Sequence, residues 1–234
     1  MMPTAQTAAV AAVAWVALYA GHQLGDHPLQ LDADARRKVA PDPGAGADPW
    51  TGWGHCVRHV AIYTTVQAVC LALASLVAPV TLAGGLAALA VSAATHAVID
   101  RRWLVQAIIR AKGGCADWPG AAYAIDQSLH VAALWLAALA AALAPSLTLA
   151  AGVTTGCLAV VAGYALLERH RLGLTICNSL QCNGLHSTVR AWRWSTRSWS
   201  RSKSAPAPGT SWRGASTSRS ATSGPPATSR STAP

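Results

Sequence analysis

The sequence predicts an all-α fold: a polytopic membrane bundle of about five transmembrane helices followed by a disordered C-terminal tail. Three observations lead there. Hydrophobic residues make up 52% of the chain and charged residues only 12%. Five apolar stretches approach the ~20 residues that a helix needs to cross a ~30 Å hydrocarbon core. The polar text, by contrast, collects in the last fifth of the chain.

The stretches are Thr4–Gly21, His59–Ala78, Leu82–Ile99, Ala121–Leu143 and Leu147–Leu167. The first has no basic residue before it and reads as a span rather than a cleaved leader. Ala and Gly make each stretch less apolar than a Leu-rich span. A soluble Ala-rich bundle would need polar faces of normal width, and spans two to five show almost none. Pro79 and Pro145 mark short links between spans two and three and between four and five, which implies antiparallel neighbours. Cys70 and Cys157 lie within apolar stretches, and without a dense framework of cysteines we expect reduced thiols.

The loop charges suggest an orientation. Arg36, Arg37 and Lys38 lie between spans one and two, Arg101, Arg102, Arg110 and Lys112 between three and four, and Arg169 and Arg171 after five. The positive-inside rule then places these loops and the C-terminus in the cytoplasm, with the N-terminus outside the cell membrane. Residues 1–171 form the transmembrane domain and are nearly neutral. Residues 172–234 hold eight basic residues and no acidic one. Rich in Ser, Arg, Trp and Pro, they have too few aliphatic residues to bury a core and are expected to be disordered. Their text also resembles out-of-frame translation of GC-rich DNA. Arg interleaved with Trp suits anionic lipid or nucleic acid, though a solvated tail explains it as well.

The chemistry sits elsewhere. Four pairs of possible metal ligands stand four residues apart: His22 and Asp26, His55 and His59, His96 and Asp100, Asp126 and His130. That spacing puts both side chains of a pair on one helix face. In the expected topology all four pairs lie near the cytoplasmic face, on helices that can pack together. Ionisable groups at such depth are costly and by default mark a functional site. His22, Asp26, His59, His96, Asp100, Asp126 and His130 therefore form the ligand inventory of one or two divalent cations, zinc among them. Asp26 or Asp126, if left uncoordinated, would act as general base. His55, beside Gly54 and outside the apolar run, is the weakest member. His27 reads as a loop or outer residue. The bland alternatives are that Asp100 pairs with Arg101 or Arg102, and that Asp26 and Asp126 cap helices.

The strings Gly21-His-Gln-Leu-Gly-Asp-His-Pro-Leu-Gln30, His59-Val-Ala-Ile-Tyr-Thr64, Thr95-His-Ala-Val-Ile-Asp100 and Asp126-Gln-Ser-Leu-His130 resemble a bacterial integral-membrane family known as domain of unknown function 3307. Members of it also occur on actinobacterial mobile elements. The resemblance covers roughly residues 10–140 and matches His22, Asp26, Gln30, His59, His96, Asp100, Asp126, Gln127 and His130; His55 is not matched. It implies the fold and the site but no reaction. Three functions stay open at this point. One is a metal-dependent hydrolase acting at the membrane interface. Another is a non-enzymatic membrane anchor or regulatory protein using its basic tail. The third is a transporter or proton relay, which the gathering of all pairs at one face disfavours.

Overall fold

The structure is a computed structural model that describes residues 5–42, 48–113 and 118–200, with side chains through residue 173. Among the described residues it is all helical, with seven helices: α1 (Ala5–Asp26), α2 (Asp32–Arg37), α3 (Trp53–Ala74), α4 (Leu82–Asp100), α5 (Trp103–Lys112), α6 (Ala121–Leu143) and α7 (Leu147–Ser200). Five are long and apolar enough to cross a membrane, as in a multi-pass membrane protein: α1, α3, α4, α6 and the Leu147–Gly173 part of α7. At ~1.5 Å per residue, 22 residues reach ~33 Å, which suffices.

Local signals set the helix ends. Thr81 caps α4, its hydroxyl accepting from the Gly84 amide at 3.0 Å. Ser146 does the same for Leu149 at the start of α7, just after Pro145. Two helices extend past the apolar text that announced them. α1 continues five residues beyond Gly21, and α3 starts six residues before His59, so His55 lies within a helix rather than outside one. The short helices α2 and α5 were not foreseen. α2 carries Asp32 and Asp34 in its first turn and Arg36 and Arg37 in its last, which complements the helix dipole. α5 buries Val105 and ends on Arg110 and Lys112.

Helices α1, α3, α4 and α6 form a closed ring in that order, each packing on the next and α6 returning to α1. Its apolar centre is built mainly from alanine: Ala14, Ala17, Ala88, Ala137, Ala138 and Ala141, around Leu18, Leu71 and Leu134. Small residues let helix backbones approach closely where lipid supplies no hydrophobic drive for packing. Gly21 does this at the α1–α3 contact, where an added Cβ would stand 2.9 Å from Gln67 Cα. α7 meets the ring edge through Ala150, which packs with Ala83 and Ala87 of α4. The side chains beyond residue 173 and all of residues 201–234 lie outside the described residues. So do the expected disorder of the tail and its contacts with lipid or nucleic acid.

The close approach at Gly21 has a measurable consequence. Gly21→Ala should lower stability in detergent by about 1–3 kcal/mol, the usual cost of overpacking. Gly54→Ala, with nothing within 4 Å of its added methyl, should be neutral or slightly stabilising. Thermal unfolding of the two variants side by side checks this, and equal effects would contradict it.

Candidate metal centre

Antiparallel packing brings the C-terminal ends of α1 and α4 and the N-terminal ends of α3 and α6 to the same end of the ring. Each helix carries a polar ladder there at four-residue spacing: His22 and Asp26 on α1; His59, Tyr63 and Gln67 on α3; Ser92, His96 and Asp100 on α4; Asp126 and His130 on α6. His22, His59, His96, Asp100 and His130 are each no more than 2% exposed, and Asp26 is 8% exposed.

Four of these side chains converge on a common point. One ligand atom each from Asp26, His59, His96 and Asp100 lie within 4.8 Å of one another, all buried, in a group that could hold a metal ion. His59 Nε2 stands 3.0 Å from His96 Nε2 and 3.1 Å from Asp26 Oδ1. His96 Nε2 lies 3.1 Å from Asp100 Oδ2 and 3.7 Å from Asp26 Oδ1, and His59 Nε2 is 3.4 Å from Asp100 Oδ2. An ion held tetrahedrally at ~2.0–2.1 Å requires its ligands to be ~3.3–3.4 Å apart. The observed separations bracket that value.

Hydrogen bonding alone does not account for the group. An imidazole nitrogen offers one proton or one lone pair. His59 Nε2 faces the Gln30 amide nitrogen at 3.1 Å as well as the three ligand atoms. Asp100 Oδ2, although within ion-pair distance of both imidazoles, makes no hydrogen bond. Its other oxygen is engaged, at 2.8 Å from Lys38 Nζ, which also reaches Asp26 Oδ1 at 3.4 Å. One carboxylate oxygen thus turns to the convergence point and the other to a fixed cation, the usual way in which outer partners orient ligands. Gln30 donates to Asp26 Oδ1 at 3.3 Å and adds to this outer layer.

The other expected site residues fall into two places. His22, Asp126 and His130 lie beside the convergent group without joining it. The His130 ring is 4.5 Å from that of His96 and 5.1 Å from that of His22, centroid to centroid. His22 Nε2 faces Gln127 Oε1 at 3.4 Å, and His130 Nδ1 donates to the Asp126 carbonyl at 2.9 Å. Asp126 Oδ1, His22 Nδ1 and His130 Nε2 are buried without a hydrogen-bond partner. Of the two carboxylates considered as bases, Asp26 therefore stands among the convergent atoms and Asp126 outside them. His55 is elsewhere: its Nδ1 lies 2.7 Å from Asp34 Oδ1. His27 is exposed.

Sequence reasoning missed Lys38, Arg101, Tyr63 and Gln67. Lys38, 3% exposed, was read as a loop cation. Arg101 counts in the sequence as another loop cation, with pairing to Asp100 only the bland alternative, whereas the fully buried guanidinium binds Glu168 of α7 and the carbonyls of Lys38 and Thr51, both at 2.9 Å. It also lies 4.8 Å over the Trp53 ring. Gly52, at φ +83°, makes room for it: a Cβ there would lie 2.7 Å from Arg101 Nη1. Tyr63 and Gln67 form a floor beneath the centre. Tyr63 stacks on His96 at 3.8 Å, its hydroxyl lies 3.0 Å from Ser92 Oγ, and Gln67 donates to that hydroxyl at 2.8 Å. Their four-residue spacing from His59 was the available signal. Lys38, hidden in a run of basic residues, gave none.

Asp34, on α2 outside the spans, accepts from Arg58 Nε at 2.9 Å to Oδ2 and from Arg58 Nη2. Arg58 first, and His55 after it, hold the Asp34 carboxyl below the usual carboxylate range against the opposing effect of burial. A depressed folded-state pKa stabilises the protein above the unfolded value of ~3.9, and this contribution is lost as pH falls through the folded value. Asp34→Asn should therefore cost about 1 kcal/mol at pH 7, at the low end for charged hydrogen bonds because Arg58 is half exposed. It should also flatten the loss of melting temperature below pH 4. An unchanged acid slope would refute this.

No family model, no curated protein and no solved structure matches the chain.

Proposed function

We propose that the protein is a metal-dependent hydrolase acting on a membrane-interface substrate, with Asp26, His59, His96 and Asp100 holding a divalent cation. The observation that carries this reading is the convergence of two imidazole nitrogens and two carboxylate oxygens at ligand–ligand spacing from three different helices. Nitrogen and carboxylate donors suit zinc, which would have to take a water as a fifth ligand beside these four for hydrolysis. Bound there, the ion would lower the pKa of a water towards ~7 and polarise an acyl or phosphoryl oxygen. Asp126, the carboxylate outside the convergent group, takes the proton of the attacking water and returns it to the leaving group. Gln30 and Gln127 flank the centre as hydrogen-bonding groups for water or substrate. We place the site at the cytoplasmic face, because the exposed cations at its end of the bundle, Arg36, Arg37, Arg102, Arg110 and Lys112, satisfy the positive-inside rule without the buried Lys38 and Arg101. The four ordered motifs support membership in the domain of unknown function 3307 family.

Metal analysis tests the centre directly. Wild-type protein purified without chelators should contain about one zinc or similar ion per chain. His96→Ala should lower affinity by more than the ~10–100-fold typical of outer-partner substitutions. Asp126→Asn should keep the metal while losing about 10²–10⁴-fold in hydrolysis of an ester that the wild type turns over. Metal-free wild type, with His96→Ala folded normally, would sink the proposal.

Lys38 separates this reading from one in which the cluster only fixes helix packing. Without an ion, Lys38 is the sole cation facing Asp26 and Asp100 among the described residues, and Lys38→Met would leave buried carboxylates unpaired at about 3–5 kcal/mol. With an ion bound, most of that cost disappears. Lys38→Met should therefore make stability strongly chelator-dependent, its melting temperature falling in EDTA far more than that of the wild type. Equal responses favour the packing role.

A further inference from the structure

A groove of about 560 Å³ runs along the seam of α1 and α6, lined by Trp15, Gln127, Ser128, Val131, Ala132 and Trp135. Trp15 and Trp135 continue into a second hollow of about 300 Å³, deeper along the same two helices. Both lie on segments long and apolar enough to span a membrane, so the seam opens towards lipid. Its chemistry is graded. The deep part is apolar, and the end near the buried cluster carries the Ser128 hydroxyl and the Gln127 amide.

Three features give the groove a specific character. The Trp15 indole N–H is buried without an acceptor, which leaves a donor unsatisfied. Gln127 makes only long contacts, its amide nitrogen to Asp126 Oδ2 at 3.3 Å and its oxygen facing His22 at 3.4 Å, and its second N–H remains available. No Lys or Arg lines either hollow. A neutral amide donor at the head, with no cation along the groove, suits a neutral carbonyl and is a poor match for a phosphate, which selects Arg, Lys or clustered amides. Behind Gln127, the fully buried His22 leads to His96 and the convergent group, with the two rings 5.9 Å apart.

We propose that the α1–α6 seam seats the hydrocarbon chain of an uncharged acyl lipid and presents its ester or amide carbonyl to Gln127, beside the metal centre. This deepens the hydrolase reading and rests on it for the chemistry, but not for the binding. Another apolar hollow, of about 320 Å³ between α3, α4 and α7 around Val57, Ala94 and Leu158, is lined by none of the cluster residues and serves as an internal control.

The test uses the full chain in phosphatidylcholine vesicles with monopalmitoylglycerol carrying a diazirine in its acyl chain. Crosslinks mapped by mass spectrometry should concentrate on the peptides holding Trp15 and Val131 to Trp135. Ala132→Trp, which fills the groove, should reduce labelling there by about tenfold while leaving the Leu158 region unchanged. Gln127→Leu, which adds no bulk, should abolish the preference for monopalmitoylglycerol over plain hexadecane. Unlabelled monopalmitoylglycerol should compete about tenfold better than hexadecyl phosphate, a difference of one decade in affinity. Labelling spread evenly over both hollows and insensitive to Ala132→Trp overturns the proposal, as does equal competition by hexadecyl phosphate. Metal content measured on the same samples keeps the two readings apart. Metal-free protein that still labels the seam retains the lipid seat and removes the hydrolase, whereas metal-loaded protein with uniform labelling removes the lipid seat alone.

Discussion

Two carboxylates and two imidazoles facing one another at the end of an apolar helix ring create an electrostatic demand that the surrounding structure is arranged to meet. Asp26 and Asp100 cannot stay charged at that depth without a cation. Lys38 provides one charge, but only because its backbone is fixed: Arg101 donates to the Lys38 carbonyl, and the Ala40 amide donates back to the Arg101 carbonyl at 3.1 Å. Arg101 is itself buried and depends on Glu168. The dependence therefore runs from Asp100 through Lys38 and Arg101 to α7. The Arg101–Glu168 ion pair thus ties α7 to the bundle beside the packing of Ala150 on Ala83 and Ala87.

That chain of dependence also explains what the sequence could and could not reveal. The ladders on α1, α3, α4 and α6 were legible because helical geometry turns four-residue spacing into a shared face, and because short links and alternating spans force those faces to one end. Asp26, His59, His96 and Asp100 converge as that logic expects. The separation of Asp126 from the convergent group was not legible, since spacing along α6 says nothing about how far that helix stands from the ring axis. His55 shows the same limit: it shares a helix with His59 and the spacing is right, yet Asp34, on a short helix without a hydrophobic signature, draws it outwards. Lys38 and Arg101 were misread for a common reason. A cation in a loop next to a membrane span reads as an orientation signal, and only the fold of the connecting segment decides whether it stays in water or turns inward to meet a carboxylate.

Depth within the bundle bears on whether the polar ladders could form a path through the membrane. The polar ladders do not stop at the convergent group: Tyr63, Ser92 and Gln67 carry them another two turns inward, as a relay for ions would require. Gln67, however, donates to the Leu18 carbonyl at 3.0 Å as well as to Tyr63, so its amide closes the ladder against the α1 backbone. Below it, Leu71, Ala14, Ala88, Leu134, Ala137 and Ala138 fill the ring with no polar side chain among them. A transport path would need polar groups or water across that layer, since a charge crossing it unaided faces the full cost of desolvation. The polar floor instead supports the stacked His96 ring from below, as expected of a centre that must hold its ligands in one geometry. Among the described residues, the buried polar group thus sits at one end of the helix ring, with an apolar layer of alanine and leucine beneath it.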